Sequence, residues 1–210
     1  MEFHQLTSFL KKELQKTLPA DKVRLKMSPP FRKASINVFY KNKENARKAA
    51  VLILLYPHQD EIYFCLMKRT EDGYAHSGQI SLPGGGVEAQ DMDMIATALR
   101  ETEEEFGIDR KLVQPIGQIS ELYIPVSNSL VFPVVAYISK RPVFIPNPKE
   151  VAQIIEVPVS YMFRADIVKK KWLQATSGFR MEVPYYDVFG HVVWGATAMM
   201  LSEFLAIVEA

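Results

Sequence analysis

Three of the four glutamates in Arg100-Glu101-Thr102-Glu103-Glu104-Glu105 share one face if the segment is helical. At 100° per residue, with Glu101 at zero, Glu104 lies at about 300° and Glu105 at about 40°, whereas Glu103, at about 200°, points away. Upstream stand Gly84-Gly85-Gly86, where the missing Cβ lets backbone come close to a ligand. Clustered carboxylates suit a hard divalent cation such as Mg2+, which takes a few carboxylate oxygens together with substrate phosphates. The chemistry suggested is metal-assisted attack on a phosphate. Without a cation the arrangement is unfavourable: like charges at i, i+4 cost a helix about 0.2–0.5 kcal/mol, and glutamates near its C-terminus oppose the macrodipole. The plainer reading of an acidic helix is a solvated face. Here the glycines and the Arg100-Glu101 pair favour the cation.

A helix must position these groups. Ile95, Ala98, Leu99, Thr102 and Phe106 fall between about 60° and 160°, an apolar stripe that buries against a core and leaves the carboxylates at its edge. Gly107 follows the last turn, as a left-handed C-cap requires. Arg100 leans toward the flank of the carboxylate face, where it would brace the preceding loop or orient Glu101 rather than touch substrate. Before the glycines, residues 49–55 and 62–68 read as strands, the first ended by a turn at Tyr56-Pro57-His58. A polar loop from Lys68-Arg69-Thr70 to His76-Ser77-Gly78 then leads through a short strand into Gly84.

The order Gly-Gly, acidic loop, Arg-Glu, Glu-Glu-x-Gly resembles the Nudix box, the signature of hydrolases acting on nucleoside diphosphates linked to another moiety. Arg100, Glu101, Glu104, Glu105 and Gly107 match it one for one. The usual loop glutamate would fall on Met92, and Asp91 stands one position earlier; a loop one residue longer accounts for this and is a habit of the coenzyme A pyrophosphatase branch. Arg69, His76-Ser77-Gly78 and the strand entering the glycines resemble the upstream motif that sets this branch apart. Trp194-Gly195-Ala196-Thr197-Ala198 also resembles that branch. The box and the upstream motif form one block of about 40 residues, far more specific than a glycine cluster alone.

The resemblance implies an α+β domain: the Nudix α/β/α sandwich, a mixed sheet with the box helix on one side and the C-terminal helix on the other. It carries an N-terminal helical extension, with residues 1–48 as helix and irregular connection and 49–210 as the hydrolase domain. The implied reaction is metal-dependent hydrolysis of coenzyme A to 3′,5′-ADP and 4′-phosphopantetheine. Glu101, Glu104 and Glu105 would hold Mg2+ or Mn2+. Arg69, His76, Gly84 and Gly85 would meet the substrate, and Glu104 or Glu101 would accept the water proton, with Glu150 as an alternate base from a later loop. A pyrophosphate repels hydroxide, so cationic neutralisation is needed in any case. Coenzyme A also demands a cation near its 3′-phosphate, for which Arg32, Lys33, Lys68 and Arg69 are candidates. Taken singly, Arg69 could be a surface salt-bridge partner and His76 a loop histidine bonded to backbone. Two rivals remain: a Nudix hydrolase of another nucleotide, such as ADP-ribose or a dinucleotide, and a non-catalytic Nudix-fold binding module. The second is disfavoured because no box glutamate is missing.

Composition narrows the setting. The net charge of +1 gives no global field toward nucleic acid or membrane, and the resemblance implies a small nucleotide as the partner. A single cysteine, Cys65, excludes an intrachain disulfide or cysteine-rich zinc site, and its strand context reads as a buried thiol. No apolar run reaches a membrane-spanning length, and Glu2 with Lys11-Lys12-Glu13 does not suit a secretory signal, so a cytoplasmic protein is expected. Phe3, Leu6, Phe9, Leu10 and Leu14 form an amphipathic helix that packs on the domain or on a second subunit; a homodimer stays open. Residues 21–48 read as irregular with one short strand at 35–40. Residues 113–121, 130–139 and 151–157 read as strands, with loops at 122–129 and 141–150. Lys169-Lys170-Lys171 reads as a solvated turn, and residues 179–185 and 191–194 as a hairpin. Residues 195–208 close the chain as an apolar helix whose methionine and aromatic residues are core.

Overall fold

The structure, a computed structural model, describes residues 2–30, 32, 43–71, 78–174 and 180–210. Its layering follows from two strands. β1 (Arg47–His58) and β7 (Ser129–Tyr137) lie parallel from Arg47↔Ser129 to Leu55↔Tyr137. Parallel neighbours are covered on both faces, so each reads as a continuous apolar run. Around them an eight-stranded sheet runs β3 (Ile80–Ser81), β2 (Glu61–Arg69), β1, β7, β5 (Gln114–Gln118). β4 (Gly84–Gly86) also pairs with β1, β6 (Leu122–Ile124) with β7, and β8 (Val151–Pro158) with β2, all antiparallel.

Period-two alternation splits the core into two layers. Leu52, Leu54, Cys65 and Met67 pack with Ala98 and Phe106 of α3 (Met94–Phe106). Ile53, Leu55, Phe64 and Leu66 share the opposite layer with α4 (Gly195–Val208) and with Leu6 and Leu10 of α1 (Phe3–Glu13). A mixed sheet thus lies between helices, the expected sandwich with its N-terminal helix. A second antiparallel sheet, β9 (Val168–Gln174), β10 (Arg180–Val188) and β11 (His191–Trp194), contributes Tyr186, Val188 and Val193 to the α4 layer. No helix among the described residues is long and apolar enough to cross a membrane.

Several elements differ from the sequence reading. β1 continues through Pro57 to His58, and the reversal falls on Gln59 and Asp60, with φ of 49° and 59°. A two-residue turn with both central residues left-handed matches the twist of the flanking strands, so the strands need no break at the proline. Lys169-Lys170-Lys171 lies inside β9 rather than in a turn. Lys169 meets Asp187 at 2.6 Å and Lys170 meets Glu182 at 3.3 Å, cross-strand pairs that let a basic run occupy a sheet. Part of the 122–129 loop forms β6, and Asp21–Arg24 forms a short helix, α2. The strand expected at 35–40, and Phe179, lie outside the described residues.

The N-terminal segment is tied to the last helix through a buried ion pair. Arg24 and Glu203 both have fully buried side chains. Arg24 also donates to the Glu121 carbonyl at 2.8 Å, and Glu203 accepts from the Ala20 amide at 3.0 Å and the Ser120 hydroxyl at 2.6 Å. Removing one member strands a charge in the core, at a cost of about 3–5 kcal/mol, whereas replacing both by apolar groups is often near neutral. Glu203→Ala is therefore expected to lower unfolding free energy by about 3–5 kcal/mol, and Arg24→Met with Glu203→Leu far less. Urea unfolding of the three proteins checks this; equal losses in the single and double variants would remove the charge argument.

Candidate active site

The glycines form a strand because their neighbours leave no alternative. At Gly84, with φ of 144°, a Cβ would stand 2.2 Å from the Ala50 carbonyl oxygen; at Gly85 it would stand 2.5 Å from a carboxylate oxygen of Glu101. Only residues without side chains can run between β1 and the carboxylate face of α3. The Gly84 amide donates to Oε2 of Glu105 at 2.8 Å, fastening this strand to the helix.

Glu105 is the buried member of the cluster, 1 % exposed. Its other oxygen, Oε1, has no hydrogen-bond donor, and the nearest cation is the Arg69 guanidinium at 3.6 Å. Burial pushes its carboxyl up to about 8; the Gly84 amide and Arg69 pull it down, while Glu101 and Glu150 push it further up. Glu101 is raised as well, chiefly by burial, against the pull of Arg100. Glu104, by contrast, is half exposed. Glu101, Glu104 and Glu105 therefore line one side of α3 at different depths.

Arg100 sits at the junction of loop and helix. Its Nε and Nη2 donate to the two oxygens of Asp91 at 3.0 and 2.9 Å, and Nη2 also donates to the Gly86 carbonyl at 2.8 Å. Nη1 donates to Glu101 at 2.9 Å and, at 3.4 Å, to both oxygens of Glu104. Asp91 further accepts from the Thr97 hydroxyl at 2.9 Å and the Glu88 amide at 2.9 Å. These donors, Arg100 foremost, hold its carboxyl well below the usual carboxylate range. The helix begins one turn before Thr97, at Asp93, whose side chain accepts from the Ala96 amide at 2.7 Å.

The far end of α3 is clasped by residues 145–150. The Ile145 and Asn147 amides donate to the Phe106 and Glu105 carbonyls at 2.8 and 2.9 Å, satisfying carbonyls that a helix end leaves free. Gly107 closes the helix in the left-handed conformation, φ 67°, and a Cβ there would stand 2.7 Å from that of Ile145. The same segment delivers Glu150, whose Oε1 accepts from the Asn147 side-chain amide at 3.0 Å. Sequence reasoning missed Asn147; its only signal was an Asn-Pro turn before an acidic residue.

The structure thus brings Glu101, Glu104, Glu105, Arg69, Arg100, Gly84, Gly85 and Glu150 to one end of the sheet. His76 and Lys33 lie outside the described residues. Arg32 is buried and donates to the Tyr123 carbonyl at 2.7 Å, a structural bond rather than a substrate contact. Among the described residues no three His, Cys, Asp or Glu side chains form a ready metal cage. The local chemistry nonetheless fits a divalent cation: the donors are hard carboxylate oxygens, one of them is buried without a donor, and burial makes the carboxylates costly to ionise alone.

A family model described as NUDIX domain matches residues 46–175. The uncharacterized Nudix hydrolase NudL of Photorhabdus laumondii is 32% identical over 187 residues, covering 87% of this chain and 92% of that protein. Nudix hydrolase 22, chloroplastic, of Arabidopsis thaliana is 35% identical over 169 residues, 77% of this chain and 55% of the plant protein, so the chain spans about half that relative's length. Among solved structures, a MutT/nudix family protein from Enterococcus faecalis is similar across 100% of this chain and 75% of its own, with a TM-score of 0.51 at 15% identity, a likeness of fold.

Two outcomes follow from the Arg100–Asp91 pair. Arg100→Ala is expected to lower stability by about 1–3 kcal/mol, the cost of stranding partly buried polar partners, and to reduce activity with it. Unchanged melting with a raised KM alone would instead make Arg100 a substrate contact. Because the folded carboxyl of Asp91 is depressed, its contribution to stability is full above the unfolded value of about 3.9 and is lost as pH falls toward the folded one. The stability gap between the wild type and Asp91→Asn should therefore narrow on acidification below about pH 4, as read by urea unfolding across a pH series.

Proposed function

Because the chain belongs to the Nudix family and is a hydrolase of nucleotide-linked substrates, we propose that it cleaves the diphosphate of coenzyme A, giving 3′,5′-ADP and 4′-phosphopantetheine. The observation that carries the site assignment is Glu105: a carboxylate buried beside Glu101, fastened to the glycine strand, with one oxygen lacking a donor. Residues 49–210 form the hydrolase domain in this reading, with 1–48 as its extension.

Nudix hydrolases generally use divalent metal ions, and here Glu101, Glu104 and Glu105 would hold Mg2+ or Mn2+. When bound, such an ion would supply charge neutralisation of the anhydride and a more acidic attacking water. The chain's own residues do the rest. Gly84 and Gly85 let β4 run between β1 and Glu101, and their backbone would meet the diphosphate. Arg69, at the end of β2, offsets charge on the departing phosphate; the sequence resemblance adds His76, outside the described residues, as a substrate contact. Arg100 holds Glu101 and Glu104 while anchoring the loop through Asp91. Glu104 or Glu101 accepts the proton of the attacking water, with Glu150 the alternate. The choice of coenzyme A rests on sequence resemblance at Arg69 with His76-Ser77-Gly78, at Asp91 and at 194–198.

Glu104→Gln and Glu105→Gln should each lower kcat by about 10²–10⁴-fold without preventing folding. Mg2+ or Mn2+ should raise the Tm of the wild type and not that of Glu105→Gln; near-wild-type turnover in both variants would remove the metal-site assignment. For the substrate, kcat/KM with Mg2+ is compared for coenzyme A, dephospho-coenzyme A, ADP-ribose, NADH and a dinucleoside polyphosphate. A preference for coenzyme A of tenfold or more, about 1.4 kcal/mol, supports the reading. Equal or better turnover of ADP-ribose would remove the substrate while leaving the family and fold in place.

A further inference from the structure

The three consecutive lysines of β9 do not share one fate. Lys169 and Lys170 are neutralised across the strand by Asp187 and Glu182, whereas Lys171 has no ion pair among the described residues. Lys171 lines an open cleft of about 270 Å3 between the small sheet and the β2–β3 edge of the large one, together with Lys68, His191, Leu173 and Trp194. Among the described residues no acidic side chain lines it, and Glu71 meets Lys68 at 3.4 Å, with both side chains exposed. In a chain of net charge +1, two lysines and a histidine around one cleft form a local field, not part of a general one.

The cleft's position relates it to the carboxylates. Lys68 and Arg69 are consecutive at the end of β2, where the pairing with β8 shifts register between them. Arg69 reaches Glu105, while Lys68 borders the cleft. Ile80 of β3 forms part of the cleft wall, and the chain continues through Leu82 and Pro83 into Gly84. The Thr197 hydroxyl donates to the Ile80 carbonyl at 3.3 Å, fixing α4 to that wall. Trp194 is only partly buried at the cleft, unlike Met199, Met200 and Phe204 of the helix that follows it. The two places thus flank one strand end. A cleft of this size is below that of a whole-ligand pocket and suits one end of an extended molecule.

Resting on the reading of the chain as a hydrolase of coenzyme A, we propose that this cleft takes the nucleoside end of the substrate, with Lys171, His191 and Lys68 binding a phosphomonoester that lies outside the anhydride. Lysine serves such a group as a point charge, and the Trp194 indole and Leu173 offer the base an apolar surface on which to stack. The ligand class is a nucleotide with phosphates at two separate ribose positions. Phosphates in series at one position would leave the cleft's cations unused.

Calorimetric titration of the full chain without metal tests this with adenosine 3′,5′-bisphosphate, 5′-AMP and, as a control with two phosphates in series, 5′-ADP. The wild type should bind the 3′,5′-bisphosphate about fivefold more tightly than either control, the scale of a partly exposed charge pair. Lys171→Ala or His191→Gln should remove most of that difference, and Lys170→Ala, on the other face of β9, should keep it. Equal affinities in the wild type, or a difference that survives Lys171→Ala, would overturn the assignment. A retained difference in a protein that fails to turn over coenzyme A would uphold the cleft and overturn the substrate reading alone.

Discussion

One guanidinium joins the parts of the site that the backbone leaves separate. Arg100 belongs to α3, yet its donors go to Asp91 in the loop, to the Gly86 carbonyl at the end of the glycine strand, and to Glu101 and Glu104 on its own helix. The bidentate contact with Asp91 fixes the plane of the group and therefore the direction of its remaining donors. Loop path, strand end and carboxylate orientation are thus set together. A lysine would keep the charge and lose this geometry, since it lacks the planar fork.

Around that joint the fold maintains an arrangement its local rules oppose. Like charges crowd the last turns of α3, and one of them is buried. Tertiary contacts hold it there: β4 presents an amide to Glu105, β2 ends in Arg69, and residues 145–147 take the helix's free carbonyls. The glycines contribute by absence. Gly84 yields to the backbone of β1, Gly85 to the Glu101 carboxylate and Gly107 to Ile145. Each permits a close approach between two elements that meet at the carboxylates, so the site's rigidity derives from packing against large, apolar sheet layers.

Much of this was legible because periodicity and spacing are local. The box helix, its left-handed glycine cap, the central apolar strand and the closing helix all follow from patterns within a few residues of one another. What escaped depended on partners distant in the chain. Nothing near Lys169-Lys170-Lys171 shows that Asp187 and Glu182 will face two of them across a sheet, so a solvated turn was the natural reading. The depth of Glu105 escaped for a related reason. Helical angles place it beside Glu101, but only the β4 amide and Arg69 determine that it is buried and Glu104 is not. Asn147 carries no periodic signal at all; its relation to Glu150 exists only because residues 145–150 wrap the helix end.

The Arg24–Glu203 pair has a consequence for the order in which the molecule can be completed. The Ala20 amide and its acceptor on Glu203 are 183 residues apart, and Arg24 shares that same carboxylate. During synthesis Arg24 emerges long before its counter-charge, which is translated 179 residues later. Until then Arg24 would enter an apolar layer uncompensated, an expensive state. The nascent segment must therefore wait, hydrated, while the intervening strands assemble, and its docking becomes a closing step once α4 has left the ribosome. Long-range closure of this kind slows folding, and it makes the buried pair a checkpoint that is passed only once α4 has been translated.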